Sequence, residues 1–286
     1  VKPSKEDFQL GDYRPEWGNS LLPNSEFYIE RPLVTTCDLH DGLVHTSDRT
    51  PSFLTVEAAC HEVILQPGAL LRIKGAEQMG KTSLLLRLLH QKAQQNFDVA
   101  LLSLKAVEPS MLQDIDALLQ WFCQQVTVAL QLPNYLDDYW DDLFGSSISC
   151  KSYFEEYLLL QSSQPLVLAL DDVDRLFPYI EVADEFLGLL RAWHEDARTR
   201  DTWKKVRLVL SHTADVYIPL NLHKSPFNVG VPIELIGFTQ TQVQTLAKRY
   251  GILLSTEQLD QLQQRFGGQP CLIQLALQAL QKQMQQ

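Results

Sequence analysis

The run Gly75-Ala76-Glu77-Gln78-Met79-Gly80-Lys81-Thr82 sets two glycines, a lysine and a hydroxyl at the G-x-x-x-x-G-K-T spacing. These residue types at this spacing capture an anion. The glycines let backbone N–H groups turn inward around phosphate oxygens, and a helix starting at the loop adds its positive end. Lys81 would neutralise the outer phosphates, and in an empty loop it is expected to stand exposed. Thr82 would offer its hydroxyl to Mg²⁺. Glu77 is discordant, because a carboxylate beside phosphates must point outward or oppose binding. The competing reading is a glycine turn that happens to carry a lysine.

A second constellation closes the apolar run Leu166-Val167-Leu168-Ala169-Leu170 with the carboxylates Asp171 and Asp172. At the carboxyl edge of a parallel sheet, Asp171 would hold Mg²⁺ directly or through water, and Asp172 would orient an attacking water. Asp174 or Arg175 would extend the polar network. Asp172 is one methylene shorter than a glutamate, so weak water positioning and slow turnover are expected. The competing reading is a buried strand with an acidic cap for the next helix. Ser211-His212-Thr213 ends another apolar run, where His212 is either a phosphate sensor or a structural histidine. The segment Asp137 to Asp142 lacks the spacing of a calcium loop and reads as a solvated loop anchored by Tyr139 and Trp140. His194 reads as a helix-surface residue.

These residues need elements to position them. Strand patterns fall at Leu70 to Lys74, Val99 to Leu104, Leu166 to Asp171, Val206 to Ser211 and Pro232 to Ile236. Helical spacing lies between them, after Thr82, from Met111, over Tyr153 to Leu160 and over Val182 to Ala197. The alternation predicts an α/β fold with a five-stranded parallel sheet buried on both faces. Three further helices, Thr239 to Tyr250, Ser255 to Phe266 and Pro270 to Met284, are punctuated by Gly251, Gly267 and Gly268 and predict a small helical domain. The expected division is an extension or linker over 1–26, a core over 27–236 and a helical domain over 237–286. Phe8, Tyr13 and Trp17 would pack the extension.

The 286 residues carry 24 Lys+Arg against 35 Asp+Glu, a formal charge of -11, which opposes bulk binding to nucleic acid or to anionic lipid. The uncharged run Ala117 to Leu136 places Gln120, Gln124, Thr127 and Gln131 on one helical face, so it predicts an amphipathic helix and not a membrane span. Cys37, Cys60, Cys123, Cys150 and Cys271 show no C-x-x-C spacing and suggest neither a disulfide framework nor a zinc site. A reducing cytoplasm is the expected setting. A chain opening on Val1 reads as a piece of a longer polypeptide.

With these residues in place the chain resembles the STAND class of P-loop ATPases, most closely the AAA-like domain family of multidomain cyanobacterial signalling proteins. The likeness runs from Phe27 to Leu280. It rests on Phe27-Tyr28-Ile29-Glu30-Arg31-Pro32, on Gln66 to Lys74 leading into Gln78 to Leu84, and on Leu170-Asp171-Asp172-Val173-Asp174-Arg175. Leu189 to Glu195, Tyr217 to Leu220 with Ser225 to Gly230, and Gly268-Gln269-Pro270 complete it. The resemblance implies a P-loop NTPase core of the ASCE type with a helical lid, and ATP/ADP and Mg²⁺ as cofactors. It also implies a slowly hydrolysing signalling switch with partner proteins or fused effector and sensor domains.

On this likeness Gly75, Gln78, Met79, Gly80, Lys81, Thr82 and Ser83 form the Walker A contacts. Lys81 and Asp172 are catalytic, Thr82 and Asp171 hold the metal, and Tyr28, Ile29, Arg31 and Pro270 lie at the adenine end. Three features depart from the pattern: Ser211-His212-Thr213 where relatives such as NB-ARC proteins carry an arginine, an apparent insertion over 34–54, and Glu77. Two alternatives stand beside the switch. One is an AAA+-like oligomeric ATPase that self-associates with nucleotide and takes a trans arginine from Arg191, Arg198, Arg200 or Arg207. The other is a nucleotide-binding scaffold without turnover.

Overall fold

The computed structural model describes residues 20–33, 55–141, 143–213 and 226–284. The readings at Phe8, Tyr13, Trp17, Asp142, Tyr217 to Leu220 and the 34–54 stretch lie outside the described residues. Among the described residues, five strands form one parallel sheet in the order β2-β3-β4-β1-β5. They are β1 Leu70–Lys74, β2 Asp98–Ser103, β3 Leu166–Asp171, β4 Val206–His212 and β5 Val231–Glu234. The apolar run of β3 is continuous because both of its faces are covered. Leu166, Leu168 and Leu170 join one core cluster, while Val167 and Ala169 join the other.

Helices α1 (Val56–Leu65) and α2 (Lys81–Gln94) cover the Val167 face. The opposite face is covered by α3 (Ile115–Ala129), the turn α4 (Leu136–Tyr139), α5 (Ser146–Ser152), α6 (Ile180–Asp196) and the short α7 (Asp201–Lys204). Along α3, capped by Asp114, Leu119, Phe122 and Val126 are buried as expected, but Thr127, expected on the polar face, is buried too, its hydroxyl donating to the Cys123 carbonyl. The helix expected over Tyr153 to Leu160 starts earlier, as α5. It then widens into a π turn at Tyr153–Tyr157 and tightens into a 3-10 turn at Leu158–Leu160. The wide turn buries Tyr153, Phe154 and Tyr157 together. Phe154 packs 4.5 Å from Trp193, and Tyr153 sits edge-on to Tyr139 at 5.4 Å. Trp140 donates to Asp116 at 2.9 Å, so the acidic segment is anchored by its aromatics. His194, expected on a helix surface, instead meets the carbonyl of Gly68 at 2.7 Å and ties α6 to the turn before β1.

Three helices, α8 (Gln240–Arg249), α9 (Thr256–Phe266) and α10 (Pro270–Met284), follow the sheet. Thr239 and Ser255 each close a capping box with the glutamine three residues on. These helices share a core of Phe238, Val243, Leu246, Tyr250, Ile252, Leu259, Ile273 and Leu277. Ile29 belongs to the same cluster, and Phe27 stacks on Tyr250 at 4.3 Å. Arg249 donates to the carbonyls of Glu26 and Tyr28, and Gln242 to that of Glu30. Residues 26–30 therefore pack with the helices that end the chain.

The sharpest backbone approach in this domain is at Gly268, at φ 73°, where an added Cβ would lie 2.4 Å from the Phe238 carbonyl oxygen. Gly251 has the same φ of 73° but open space around it. Gly251→Ala is expected to lose about 1 kcal/mol from the left-handed backbone alone. Gly268→Ala is expected to lose at least twice that. Urea unfolding midpoints check the pair, and equal shifts would mean that the Phe238 contact contributes nothing.

Candidate functional site

Gly75 continues β1, and its N–H donates to the His212 carbonyl at 3.3 Å. A Cβ there would press on Leu235 at 3.0 Å. The chain then turns through Gln78 at φ 61° and Gly80 at φ 83°, both left-handed, before entering α2. No side chain caps the first turn of α2. The N–H groups of that first turn therefore have no side-chain acceptor, the condition under which a helix start accepts an anion. The Glu77 and Gln78 side chains are exposed, so the discordant carboxylate points outward. Met79 packs on the cluster beneath α1 and α2. Ser83 accepts the N–H of Leu21 at 3.0 Å, so its hydroxyl serves residues 20–33.

Lys81 is not exposed. It is 8% accessible, and its Nζ donates to the carbonyls of Gly75 at 2.8 Å and Ala76 at 3.0 Å, closing the loop on itself. Burial lowers its pKa, against the opposing pull of Asp171, Asp174 and Asp172. Phosphate oxygens that outcompete two carbonyls would release the ammonium from them.

Strand β3 delivers Asp171 beside the loop. Its Oδ2 accepts from the Thr82 hydroxyl at 2.5 Å, and its Oδ1 accepts from Ser211 at 2.6 Å and from the Asp172 N–H at 3.0 Å. Burial and then the Asp172 charge raise its pKa, more than these three donors lower it. Asp172 sits at φ 58° and faces the other way. Lys105 Nζ lies 2.7 Å from its Oδ1, and Ser103 donates to its Oδ2 at 3.2 Å. Burial would lower the Lys105 pKa, but the Asp172 hydrogen bond and charge overcome it and raise it. Asp174 accepts the Thr213 N–H at 3.0 Å, while Arg175 is exposed.

Sheet alternation separates the end of β4. Ser211 reaches Asp171, whereas His212 lies on the opposite face, its ring 4.8 Å from that of Phe227 and its Nδ1 2.9 Å from the Thr213 carbonyl. Burial lowers the His212 pKa and favours the neutral ring. Ser103 and Lys105 were not singled out from sequence. The end of β2 beside β3 was the available signal, since Ser103 pairs in register with Asp171.

Residues 26–31 and the helical domain both reach the loop. Arg31 is 4% accessible, and an added Cβ on Gly80 would lie 2.9 Å from its Nη2. The guanidinium lies over the Phe238 ring, and its Nε and Nη1 have no hydrogen-bond partner among the described residues. Burial lowers its pKa, and no carboxylate neutralises it at hydrogen-bond distance among the described residues. Tyr28 and Ile29 are buried, Tyr28 donating to Glu57 at 2.7 Å and Ile29 packing in the helical core. Gln269 donates to the Glu77 carbonyl at 2.8 Å, one residue before Pro270 opens α10. The structure thus gathers the loop, Asp171, Asp172 and Arg31 at one sheet edge.

The family described as AAA-like domain matches residues 51–286. The chain belongs to the AAA-like domain family. No curated protein matches. Among solved structures, the Walker-type ATPase PABY2304 of Pyrococcus abyssi is similar at 13% identity and TM-score 0.50, over 76% of this chain and 64% of that one. The ORC2 protein of Aeropyrum pernix, solved as ADPNP-ADP complexes, is similar at 17% identity and TM-score 0.51, over 78% of this chain and 60% of that one. The chain therefore spans less than two thirds of either neighbour's length. Both likenesses establish the P-loop ATPase fold for this AAA-like domain.

Of its candidate trans arginines, Arg207 is buried against the carbonyls of Ile64 and Lys204. Arg200 pairs with Glu155 and Asp196, Arg191 pairs with Glu195, and Arg198 is exposed. No helix among the described residues is long and apolar enough to cross a membrane.

Because the folded domain holds Asp171 above its ordinary acidity range, ionising it weakens the fold. The stability it contributes is complete below the unfolded pKa and is lost as pH rises through the raised value. Asp171→Asn removes the charge and keeps one acceptor oxygen for Ser211 and the Asp172 N–H, while its amide nitrogen donates to the Thr82 hydroxyl, which turns to accept. In chelator-treated protein its thermal midpoint is expected to match the parent near pH 3.5 and to exceed it at pH 7. A lower midpoint for the variant at pH 7 would show that the carboxylate charge stabilises the ligand-free fold.

Proposed function

We propose that this AAA-like domain binds Mg·ATP, hydrolyses it slowly and works as an ATP/ADP switch of the STAND type within a larger protein or assembly. The observation that carries the reading is the 2.5 Å contact between Thr82 and Asp171 directly beneath a glycine loop shaped for phosphate. The residues fit the absent groups. Two hard oxygen donors already in contact, one a carboxylate whose ionisation burial opposes, suit a divalent cation. A loop with left-handed residues at 78 and 80 and an uncapped helix behind it suits a phosphate chain. Mg²⁺ supplies charge neutralisation across the outer phosphates.

The chain's own residues do the rest. Thr82 and Asp171 hold the metal, and Lys81 exchanges the Gly75 and Ala76 carbonyls for phosphate oxygens. Gly75, Gln78, Met79 and Gly80 shape the cradle. Arg31 offers its unpartnered N–H groups to the nucleotide, with Tyr28, Ile29 and Pro270 framing that end of the site. Asp172 orients water, and its engagement with Lys105 and Ser103 supports slow turnover. Ser211, which donates to Asp171, would give β4 a route to register the metal beside the His212 sensor expected from sequence. The contact from Gln269 to the loop supports a lid that senses occupancy. The charge of -11 fits protein partners better than nucleic acid.

Titration calorimetry and single-turnover hydrolysis test this assignment. Lys81→Ala is expected to weaken Mg·ATP by about 100-fold or more. Asp172→Asn is expected to bind as the parent does and to lose hydrolysis, since a water-positioning carboxylate acts on the transition state. Unchanged affinity in Lys81→Ala would remove the phosphate loop. Undiminished hydrolysis in Asp172→Asn would remove the switch chemistry.

The orphaned guanidinium yields a separate expectation. Arg31→Gln is expected to lower ATP affinity about tenfold while leaving the Mg²⁺ dependence unchanged. A change confined to Mg²⁺ affinity would place Arg31 at the metal end of the site.

A further inference from the structure

Far from the phosphate loop, Cys123 of α3 and Cys150 of α5 point their sulfurs at each other across 3.4 Å, and both side chains are 0% accessible. The pairing escaped the sequence because 26 positions separate the two residues and no short spacing marks them. A disulfide needs the sulfurs at about 2.05 Å, so an approach of roughly 1.4 Å between two helices would close the bond. We propose that Cys123 and Cys150 form a dithiol modification site at which a hydroperoxide installs a disulfide joining α5 to α3.

The chemistry balances with one oxidant. A thiolate sulfur attacks a peroxide oxygen, the O–O bond breaks, and water leaves after proton transfer, giving a sulfenic acid. The second sulfur then displaces that oxygen as water and forms the S–S bond. Two thiol protons and two electrons thereby reduce one hydrogen peroxide to two waters.

Access comes from the carrier helix. α5 has seven residues and follows Leu143 and Phe144, which are 91% and 65% exposed, and the α-helical pattern ends immediately after it in the π turn. The proposal requires α5, set between an exposed loop and an irregular turn, to open without global unfolding. In the closed state burial raises the Cys123 pKa, so the reaction is gated by that opening. The polar groups beside the pair are Thr127 and Tyr153. Thr127 donates to the Cys123 carbonyl at 2.8 Å, and the two hydroxyls lie 2.8 Å apart. Nearby Lys151 pairs with Asp196 at 2.6 Å, so it directs its charge to α6.

The full chain, treated with hydrogen peroxide at neutral pH, then denatured and alkylated with iodoacetamide, tests the site by peptide mapping. The expected product is a crosslinked Cys123–Cys150 peptide two hydrogens lighter than its parts. Dithiothreitol should reverse it, and the oxidised chain should show a higher thermal midpoint. A variant carrying Cys37→Ala, Cys60→Ala and Cys271→Ala should form the same crosslink. Full alkylation of both residues, sulfinic acid at either one without a crosslink, or a bond from either to another cysteine would overturn the proposal. A lowered midpoint in the crosslinked chain would overturn closure within the native packing.

Discussion

A single buried carboxylate organises this molecule. Asp171 accepts from Thr82 on α2, from Ser211 on β4 and from the backbone of Asp172, so three segments distant in sequence meet at its two oxygens. Ionising a group at 1% exposure opposes folding, because burial and the Asp172 charge outweigh the three donors. The strand order explains how the group is reached. β4 lies between β1 and β3, so Ser211 bridges the gap between the loop after β1 and the carboxylate ending β3. A sheet with β1 directly beside β3 would leave no place for that bridge.

The second carboxylate behaves differently because the backbone reverses at it. With Asp172 left-handed at φ 58°, consecutive side chains diverge, one toward Thr82 and the other toward Ser103 and Lys105 on the β2 side. Two adjacent carboxyl groups are thereby separated and given different partners, two hydroxyls and a backbone N–H for one and an ammonium and a hydroxyl for the other. Their roles can differ because their surroundings do.

What was legible in the sequence was what is local. β1 and β3 match their apolar runs residue for residue, and the loop between β1 and α2 follows from its glycines and from the helical spacing after Thr82. The α/β class followed from the alternation of such runs. What escaped depends on register and on packing between distant segments. That Ser103 stands beside Asp171 requires knowing that β2 pairs with β3, and Lys105 carries no motif of its own. Lys81 looked exposed because its spacing says nothing of the carbonyls it would find. The π turn at Tyr153 reflects a demand from Trp193, Trp203 and Phe122 for aromatic volume that no helical periodicity contains.

Arg31 shows how the pieces are coupled. Its backbone is fixed to α1, donating to Glu57 and accepting from Val56, while the residues just before it pack on α8 and Tyr250. Its guanidinium lies where a Cβ added to Gly80 would meet it at 2.9 Å, and over the Phe238 ring of the helical domain. A displacement of the helical domain by even the width of a hydrogen bond would have to move residues 26–30, bend the backbone at Arg31 or break the Gln269 contact with the loop. Packed elements of this kind adopt discrete arrangements more readily than graded ones. On the proposed function, charge arriving at the loop would act on Arg31, a buried cation set between the loop and Phe238, so phosphate binding would have a short physical route to the position of the helical domain.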